Sequence, residues 1–190
     1  EKVKKYFNIN KSKFLLITFH SSTLENNTST QQFKNILSFL KTKKNFNIIF
    51  TKTNADTDGR IINQLIDKFV LNNKNSSAYT SLGQIKYLSL LKYSYALIGN
   101  SSSGIIATPY FKKPTINIGE RQEGRVKAKN IIDCNPNFKS LEKSFKKIEA
   151  KNFKKKIENM KDPFDKGNTA RLIRKRIEAI KLPKEIKKDF

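Results

Sequence analysis

The sequence predicts an α/β fold in which helices flank a Rossmann-like parallel sheet. Short apolar runs of strand length recur along the chain, as in strands that are buried on both faces. Between them lie segments of about 10–15 residues whose apolar positions follow helical spacing, and this alternation is typical of βα units. No apolar run reaches the length of about 18 residues that a membrane-spanning helix needs.

The clearest strand is the continuous apolar run of residues 14–19, which contains no charged side chain. The other predicted strands are shorter and are bounded by polar turn residues. The six strands cover residues 14–19, 46–50, 77–80, 95–98, 114–118 and 130–132.

Helices are predicted after each of the first four strands, the fourth helix being short, and again from Phe138 onward. The first helix begins at Thr28 or Ser29, because a hydroxyl at the N-cap can accept a hydrogen bond from the first turn. Apolar residues then recur at intervals of three and four. The residues expected to face the core are Phe33, Ile36, Leu37 and Leu40, then Ile61, Ile62, Leu65, Ile66 and Phe69, then Leu82, Ile85, Leu88 and Leu91, and finally Leu141, Phe145, Ile148, Leu172, Ile173, Ile177 and Ile180.

Lysine and arginine number 39 against 16 acidic residues, which gives a net charge of +23. This charge suits either a basic nucleic-acid-binding module or a protein that binds a phosphorylated small molecule. The bases are 33 lysines and 6 arginines, and asparagine occurs 20 times, a composition that AT-rich codons also produce. Because sequence-reading nucleic-acid proteins rely on arginine forks, we favour the small-molecule interpretation and keep nucleic acid as the alternative.

Cysteine and histidine each occur once, as Cys134 and His20. These counts exclude an internal disulfide and a zinc motif, and no metal is expected. The chain opens without a basic segment followed by an apolar one, so we expect no secretory signal, no membrane partner and a cytoplasmic setting.

Ligands of parallel α/β sheets bind beyond the carboxyl ends of the strands, where loops lead into helices. Four predicted loops meet this description, at residues 20–23, 54–59, 79–83 and 99–104. His20 lies in the first loop, and an imidazole can act there as acid, base or phosphate donor. The second loop is predicted to be a turn and helix cap rather than a calcium loop, because no glutamate occupies the distal position that a calcium loop needs.

The segment Gly99-Asn-Ser-Ser-Ser-Gly104 follows a predicted strand and begins a helix. Backbone N–H groups at a helix start hold phosphate, and Ser101 and Ser102 would add hydroxyl donors. Gly104 would let a phosphate oxygen approach the backbone closely. A capped helix with glycine in a tight turn explains the same residues, and both interpretations stay open. The Gly-Lys-Ser/Thr ending of a Walker loop is missing.

Arg121 and Arg125 lie in the loop after the fifth predicted strand. Two guanidinium groups beside a strand end suit a diphosphate clamp, and a solvated charged loop is the alternative. The acidic residues near the same edge have no spacing that demands acid–base catalysis. These are Asp56, Asp58, Glu120 and Glu123.

Six motifs in order resemble those of one enzyme family, the hydrolysing UDP-N-acetylglucosamine 2-epimerases of sialic-acid-type sugar synthesis. The resemblance covers the chain from Phe14 to about Ile180. Its motifs are Leu16-Ile-Thr-Phe-His20, Asn54-Ala-Asp56, Ser81-Leu-Gly83, Ile98-Gly-Asn-Ser-Ser-Ser-Gly-Ile105, Pro114-Thr-Ile-Asn-Ile-Gly-Glu-Arg-Gln-Glu-Gly-Arg125 and Asp162-Pro-Phe-Asp-Lys-Gly-Asn168.

The resemblance implies the carboxyl-terminal domain of a GT-B fold, the two-domain fold of nucleotide-sugar glycosyltransferases. Residues 1–190 would form the nucleotide-holding half, with a core at about 14–134 and C-terminal helices at 138–182. The amino-terminal domain, which carries the carboxylates that move the C2 proton, would be absent, so this fragment would be inactive alone. The full-length protein is expected to be a homo-oligomer.

The resemblance also implies the chemistry and the residues that perform it. The substrate would be a nucleotide sugar that is converted, without nicotinamide or another cofactor, to N-acetylmannosamine and a nucleoside diphosphate. His20 would assist departure of the diphosphate, while Ser101, Ser102 and Gly104 would hold its oxygens. The remaining nucleotide contacts would come from Arg121 and Asn54.

Ala107 departs from the family pattern, which has a ribose-binding glutamate at this position. A methyl group cannot accept the ribose hydrogen bonds, and losing a charged acceptor costs about 1.5–3 kcal/mol. A weakened enzyme, an altered nucleotide and an inactive homologue all remain open, as does the choice between UDP and GDP. A glycosyltransferase on the same scaffold is a further alternative, because fold alone does not decide function.

Overall fold

The computed structural model describes residues 2–11, 13–21, 28–53, 57–165 and 167–180. Its centre is a six-stranded sheet in the order β3-β2-β1-β4-β5-β6, in which every neighbouring pair is parallel. The strands are β1 (Phe14–Thr18), β2 (Asn47–Thr51), β3 (Ser76–Tyr79), β4 (Ala96–Gly99), β5 (Thr115–Ile118) and β6 (Ile131–Cys134).

Helices cover both faces of this sheet. They are α1 (Lys2–Tyr6), α2 (Ser29–Lys41), α3 (Thr57–Asn72), α4 (Gly83–Tyr93), α5 (Ser103–Ile106), α6 (Phe138–Glu149), α7 (Lys151–Glu158) and α8 (Thr169–Ala179). The predicted α/β class, a Rossmann-like parallel sheet with flanking helices, is therefore confirmed, and each of the six predicted strands begins and ends within two residues of an observed one. Helix α1 was not among the predicted elements.

Alternation along β1 divides the apolar core into two layers. Leu15 and Ile17 pack on one face of the sheet with side chains of α2, α3, α6 and α7. Phe14 and Leu16 pack on the other face with α1 and α4. Because both faces are covered, every residue of β1 is buried. Each of its large apolar side chains contributes about 1.5–3 kcal/mol to the stability of the fold through removal from water.

Helix α2 begins where the sequence predicts, with Thr28 at the N-cap, but the predicted capping bond does not form. The Thr28 hydroxyl instead accepts a hydrogen bond from the side chain of Gln32, at 3.1 Å. The side-chain amide therefore takes the place of the backbone donor.

In α3 and α4, two residues predicted to face the core are exposed instead, Ile61 at 42% and Ile85 at 82%. The α4 prediction placed apolar residues at a constant spacing of three, which drifts around a helix by about 60° per step. Such a series cannot stay on one face, and Leu90 and Leu91 are the buried residues of this helix.

Helix α8 also departs from the prediction, because all its apolar side chains are exposed. Leu172, Ile173, Ile177 and the adjoining Ile180 are 49–67% exposed. Within the described ranges, no helix is both long and apolar enough to cross a membrane.

Candidate functional site

The candidate site lies where the sheet order reverses direction. β1 pairs with β2 on one side and with β4 on the other, so the loops that follow β1 and β4 diverge from one point. This topological switch is where open α/β sheets bind ligands. His20 follows β1 and the serine turn, residues 100–103, follows β4, so the topology brings the two predicted motifs to the same place.

Asn100 joins the histidine to the serine turn. Its side-chain Oδ1 accepts a hydrogen bond from the His20 backbone N–H at 2.8 Å, and its Nδ2 donates to the His20 carbonyl, also at 2.8 Å. The Asn100 side chain is 3% exposed. The two loops are therefore fastened directly to each other, although 80 positions separate the partners in sequence.

Glycine allows the serine turn to leave β4 at this angle. Gly99 has a φ of +147°, and a Cβ atom there would lie 1.9 Å from the Thr18 carbonyl oxygen. Gly104 packs so closely on β4 and β5 that a Cβ would lie 2.9 Å from the Thr115 methyl group. Both predicted glycines thus have a steric role in placing the serines.

The serine hydroxyls form a short hydrogen-bonded chain. Ser101 Oγ and Ser103 Oγ lie 3.0 Å apart, and the Tyr87 hydroxyl on α4 contacts Ser103 Oγ at 2.5 Å. Ser102 occupies the N-cap of α5 without forming a side-chain capping bond. Ser101 Oγ instead accepts from the Ser103 backbone N–H at 3.3 Å, so a serine hydroxyl still satisfies one N–H at the start of α5.

Arg121 reaches the same turn from the loop after β5. Its Nη1 donates to the Asn100 carbonyl at 3.2 Å, and Gln122 Nε2 donates to the same oxygen at 2.8 Å. This arrangement places a guanidinium charge beside the serine turn. Arg125 is exposed, and among the described residues no contact places it in the cluster.

Two cavities open along the carboxyl edge of the sheet. One, of about 300 Å³, is lined by His20 and by the predicted loop of residues 79–83, together with Tyr87. The other, of about 670 Å³, lies beyond β5 and β6 and includes Glu120, Glu123 and Asp133. The first cavity joins two of the four predicted loops.

The ionised carboxylate of Asp133 lines the larger cavity. Partial burial raises the pKa of this carboxyl, but hydrogen bonds from Lys127 at 2.8 Å and Asn117 at 2.7 Å, with the charge of Lys127, outweigh burial and lower the pKa overall. Among the described residues, no group of three or more His, Cys, Asp or Glu side chains lies close enough together to hold a metal ion.

The structure thus brings together His20, Ser101, Ser102, Gly104 and Arg121. Asn54, with Asp56, lies outside the described residues. Sequence reasoning missed the connecting residues Asn100 and Gln122. Asn100 lies inside the serine motif, and its position directly after a strand-ending glycine was the available signal.

A family model described as UDP-N-acetylglucosamine 2-epimerase matches residues 1–178 of the chain. Over 140 residues, the chain is 46% identical to the GDP/UDP-N,N'-diacetylbacillosamine 2-epimerase (hydrolyzing) of Campylobacter jejuni, covering 73% of this chain and 36% of that protein. Over 157 residues, it is 32% identical to the polysialic acid biosynthesis protein P7 of Escherichia coli, covering 82% of this chain and 40% of that protein. The matched segments therefore cover 36–40% of the length of these curated relatives.

Solved structures share the fold at lower identity. The S. aureus MnaA–UDP co-structure superposes with a TM-score of 0.72 at 15% identity, covering 94% of this chain and 47% of that chain. The E. coli heptosyltransferase WaaC with ADP superposes with a TM-score of 0.51 at 12% identity, covering 77% of this chain and 48% of that chain, in agreement with the predicted likeness to one domain of the glycosyltransferase fold.

Proposed function

The chain belongs to the UDP-N-acetylglucosamine 2-epimerase family, and on this premise we propose that it is the nucleotide-holding half of a hydrolysing nucleotide-sugar 2-epimerase. The observation that carries the proposal is the direct link from His20 through Asn100 to the serine turn at the β1–β4 switch. The matches cover 36% and 40% of these curated relatives, which supports a second half, and the resemblance implies that this half lies on the amino-terminal side.

The proposed reaction breaks the anomeric C–O bond by elimination. A proton leaves C2 of the sugar, the bond to the diphosphate breaks, and a glycal remains. Water then adds to C1 while a proton returns to C2 on the opposite face, releasing the 2-epimeric free sugar. Negative charge develops on the departing diphosphate, so donors preorganised around it stabilise the transition state.

The residues of this chain would supply those donors. His20 would donate to the diphosphate, and the Ser101 and Ser102 hydroxyls would hold its other oxygens, with Gly104 allowing close approach. Arg121 would add a guanidinium charge, which its 3.2 Å contact with the Asn100 carbonyl directs toward the turn. Asn54 would line the nucleotide site.

The sugar is the point on which the relatives differ. Epimerisation of UDP-N-acetylglucosamine to N-acetylmannosamine is supported by the family description, and the relative named for polysialic acid biosynthesis agrees with it. The 46% identical relative acts instead on a nucleoside-diphosphate N,N'-diacetylbacillosamine, and its higher identity makes this the second candidate substrate.

Nucleotide binding tests the site. We expect UDP or GDP to bind the chain saturably in calorimetry, and Ser102→Ala to weaken binding about tenfold, because one hydrogen bond to a charged group is lost. Ser76→Ala is the matched control, since the Ser76 hydroxyl donates to the Asn73 carbonyl at the opposite edge of the sheet. Unchanged affinity in Ser102→Ala would reject the site.

Oligonucleotide binding tests the nucleic-acid alternative. Binding that weakens steeply as salt is added, and that UDP does not compete away, would favour this alternative.

Turnover tests the division of labour between the two halves. We expect the purified chain to release no free sugar from UDP-N-acetylglucosamine, because the C2 proton would be moved by carboxylates of the amino-terminal half. A coupled assay for N-acetylmannosamine measures this, with a full-length relative as positive control. Release that tracks the purified chain and disappears in His20→Ala would contradict the expectation.

A further inference from the structure

We propose that Asn63 and Asn100 are a pair of positioning residues that fix His20 from two sides. Asn100 holds the histidine backbone, and Asn63 holds Thr53, whose hydroxyl contacts the imidazole. The identity of the ligand that the ring contacts rests on the proposed function. The two pairs of hydrogen bonds, Asn100 with His20 and Asn63 with Thr53, are called grips and are argued from geometry alone.

The first grip fixes where the histidine backbone lies. One buried amide pairs with both the N–H and the C=O of His20, at 2.8 Å each. Two hydrogen bonds to one residue restrict both translation and rotation of its backbone, as an additional strand would. The loop after β1 is thereby tied to the end of β4.

The second grip repeats this arrangement on the loop after β2. The Thr53 backbone N–H donates to Asn63 Oδ1 at 3.0 Å, and Asn63 Nδ2 donates to the Thr53 carbonyl at 3.1 Å. Asn63 belongs to α3, and Thr53 is 7% exposed. Helix α3 therefore determines where the threonine hydroxyl lies.

Asn100 acts on the His20 backbone, and Asn63 acts on the imidazole through Thr53. Thr53 Oγ1 lies 3.2 Å from His20 Nδ1, so the ring has a hydrogen-bond partner that is itself held in place. A threonine hydroxyl can donate or accept, so this contact fixes where Nδ1 lies and couples the tautomer of the ring to the orientation of the Thr53 hydroxyl. Asn63 therefore acts on the ring through Thr53.

The chain contains a matched control for these grips. Asn47 Oδ1 accepts from the Lys11 backbone N–H at 2.6 Å, and Asn47 Nδ2 donates to the Asn75 carbonyl at 3.4 Å. Asn47 is buried, as Asn100 is, but it lies at the amino end of β2, at the opposite edge of the sheet. Asn47→Ala should therefore cost comparable stability without affecting the site.

Because His20 is the single histidine, its ring nitrogens can be followed in the full chain by long-range ¹⁵N–¹H NMR without assignment. At about pH 9, where an imidazole is neutral, the ¹⁵N shifts report the tautomer ratio. We expect one dominant tautomer in the wild type, a shift toward a mixture in Thr53→Val and Asn63→Ala, and no change in Asn47→Ala. Thr53→Val keeps the side-chain shape and thus tests the grip even where Asn63→Ala folds poorly.

UDP affinity gives the second readout. We expect Asn63→Ala and Asn100→Ala to weaken binding about fivefold to tenfold, since a misplaced imidazole loses much of a hydrogen bond to phosphate. Asn100→Ala keeps the backbone carbonyl that holds Arg121, so its effect reports on His20.

The two readouts separate failure of this proposal from failure of the proposed function. A wild-type chain that binds no nucleotide rejects the function, while a tautomer shift in Thr53→Val and Asn63→Ala still supports the grips. An unchanged tautomer ratio in folded Thr53→Val, or equal effects of Asn47→Ala and Asn63→Ala on the ring, overturns the positioning role.

Discussion

Replacing Gly99 with alanine is expected to lower the free energy of unfolding by about 3–5 kcal/mol, an effect that few single substitutions reach. The new Cβ would lie 1.9 Å from the Thr18 carbonyl oxygen and 2.6 Å from its carbon, and φ at this position is +147°. Thr18 and Gly99 are partners in the β1–β4 pairing. Relief of the clash therefore has to separate the two strands that carry the histidine and the serines.

Urea unfolding of Gly99→Ala beside Gly124→Ala measures this effect. Gly124 also has a positive φ, +72°, but a Cβ there would meet no atom within 4 Å. Its replacement should cost only about 1 kcal/mol, through backbone conformation alone. Equal losses in the two variants would show that the contact with Thr18 relaxes without cost.

Replacing Ala107 with glutamate is expected to strengthen nucleoside diphosphate binding by roughly tenfold to a hundredfold. The family resemblance places a ribose-binding glutamate at this position, and a carboxylate accepts from two hydroxyl groups where a methyl group accepts from none. Ala107 is half-buried and is the C-cap residue of α5, the short helix that follows the serine turn.

Calorimetry with UDP and with its 2′,3′-dideoxy analogue isolates the ribose contact. The gain should appear with UDP and disappear with the analogue. Ile106→Glu is the control, since it adds the same charge to an exposed neighbouring residue of α5. A gain of equal size in Ile106→Glu, or with the dideoxy nucleotide, would assign the effect to general charge and contradict the ribose role.

Much of the candidate site could be predicted from local sequence. A lone histidine after the first strand and a serine motif after the fourth were each placed at the ligand edge by strand direction alone. The links between them could not be predicted in this way. Asn100 and His20 are 80 positions apart, and their pairing requires β1 and β4 to be neighbours in the sheet.

Helix faces show the same limit. The periodic apolar positions of α2 are buried as predicted, because spacings of three and four keep them on one stripe. In α4 the constant spacing of three misplaced Ile85, and in α8 an amphipathic pattern lies exposed. An apolar stripe specifies that a face favours burial, whereas the neighbouring elements decide whether a surface exists to cover it.

By itself, the sequence determined that this chain forms a parallel α/β sheet, which edge of the sheet carries polar loops, and which loops hold the histidine, the serines and the arginine. Only the tertiary structure decided that Asn100 joins two of these loops and that Asn63 holds Thr53 against the imidazole. The physical reason is range. Strand and helix preferences arise from neighbouring residues, whereas a hydrogen bond between loops depends on strand order and on atomic distances that hydrophobic periodicity does not encode.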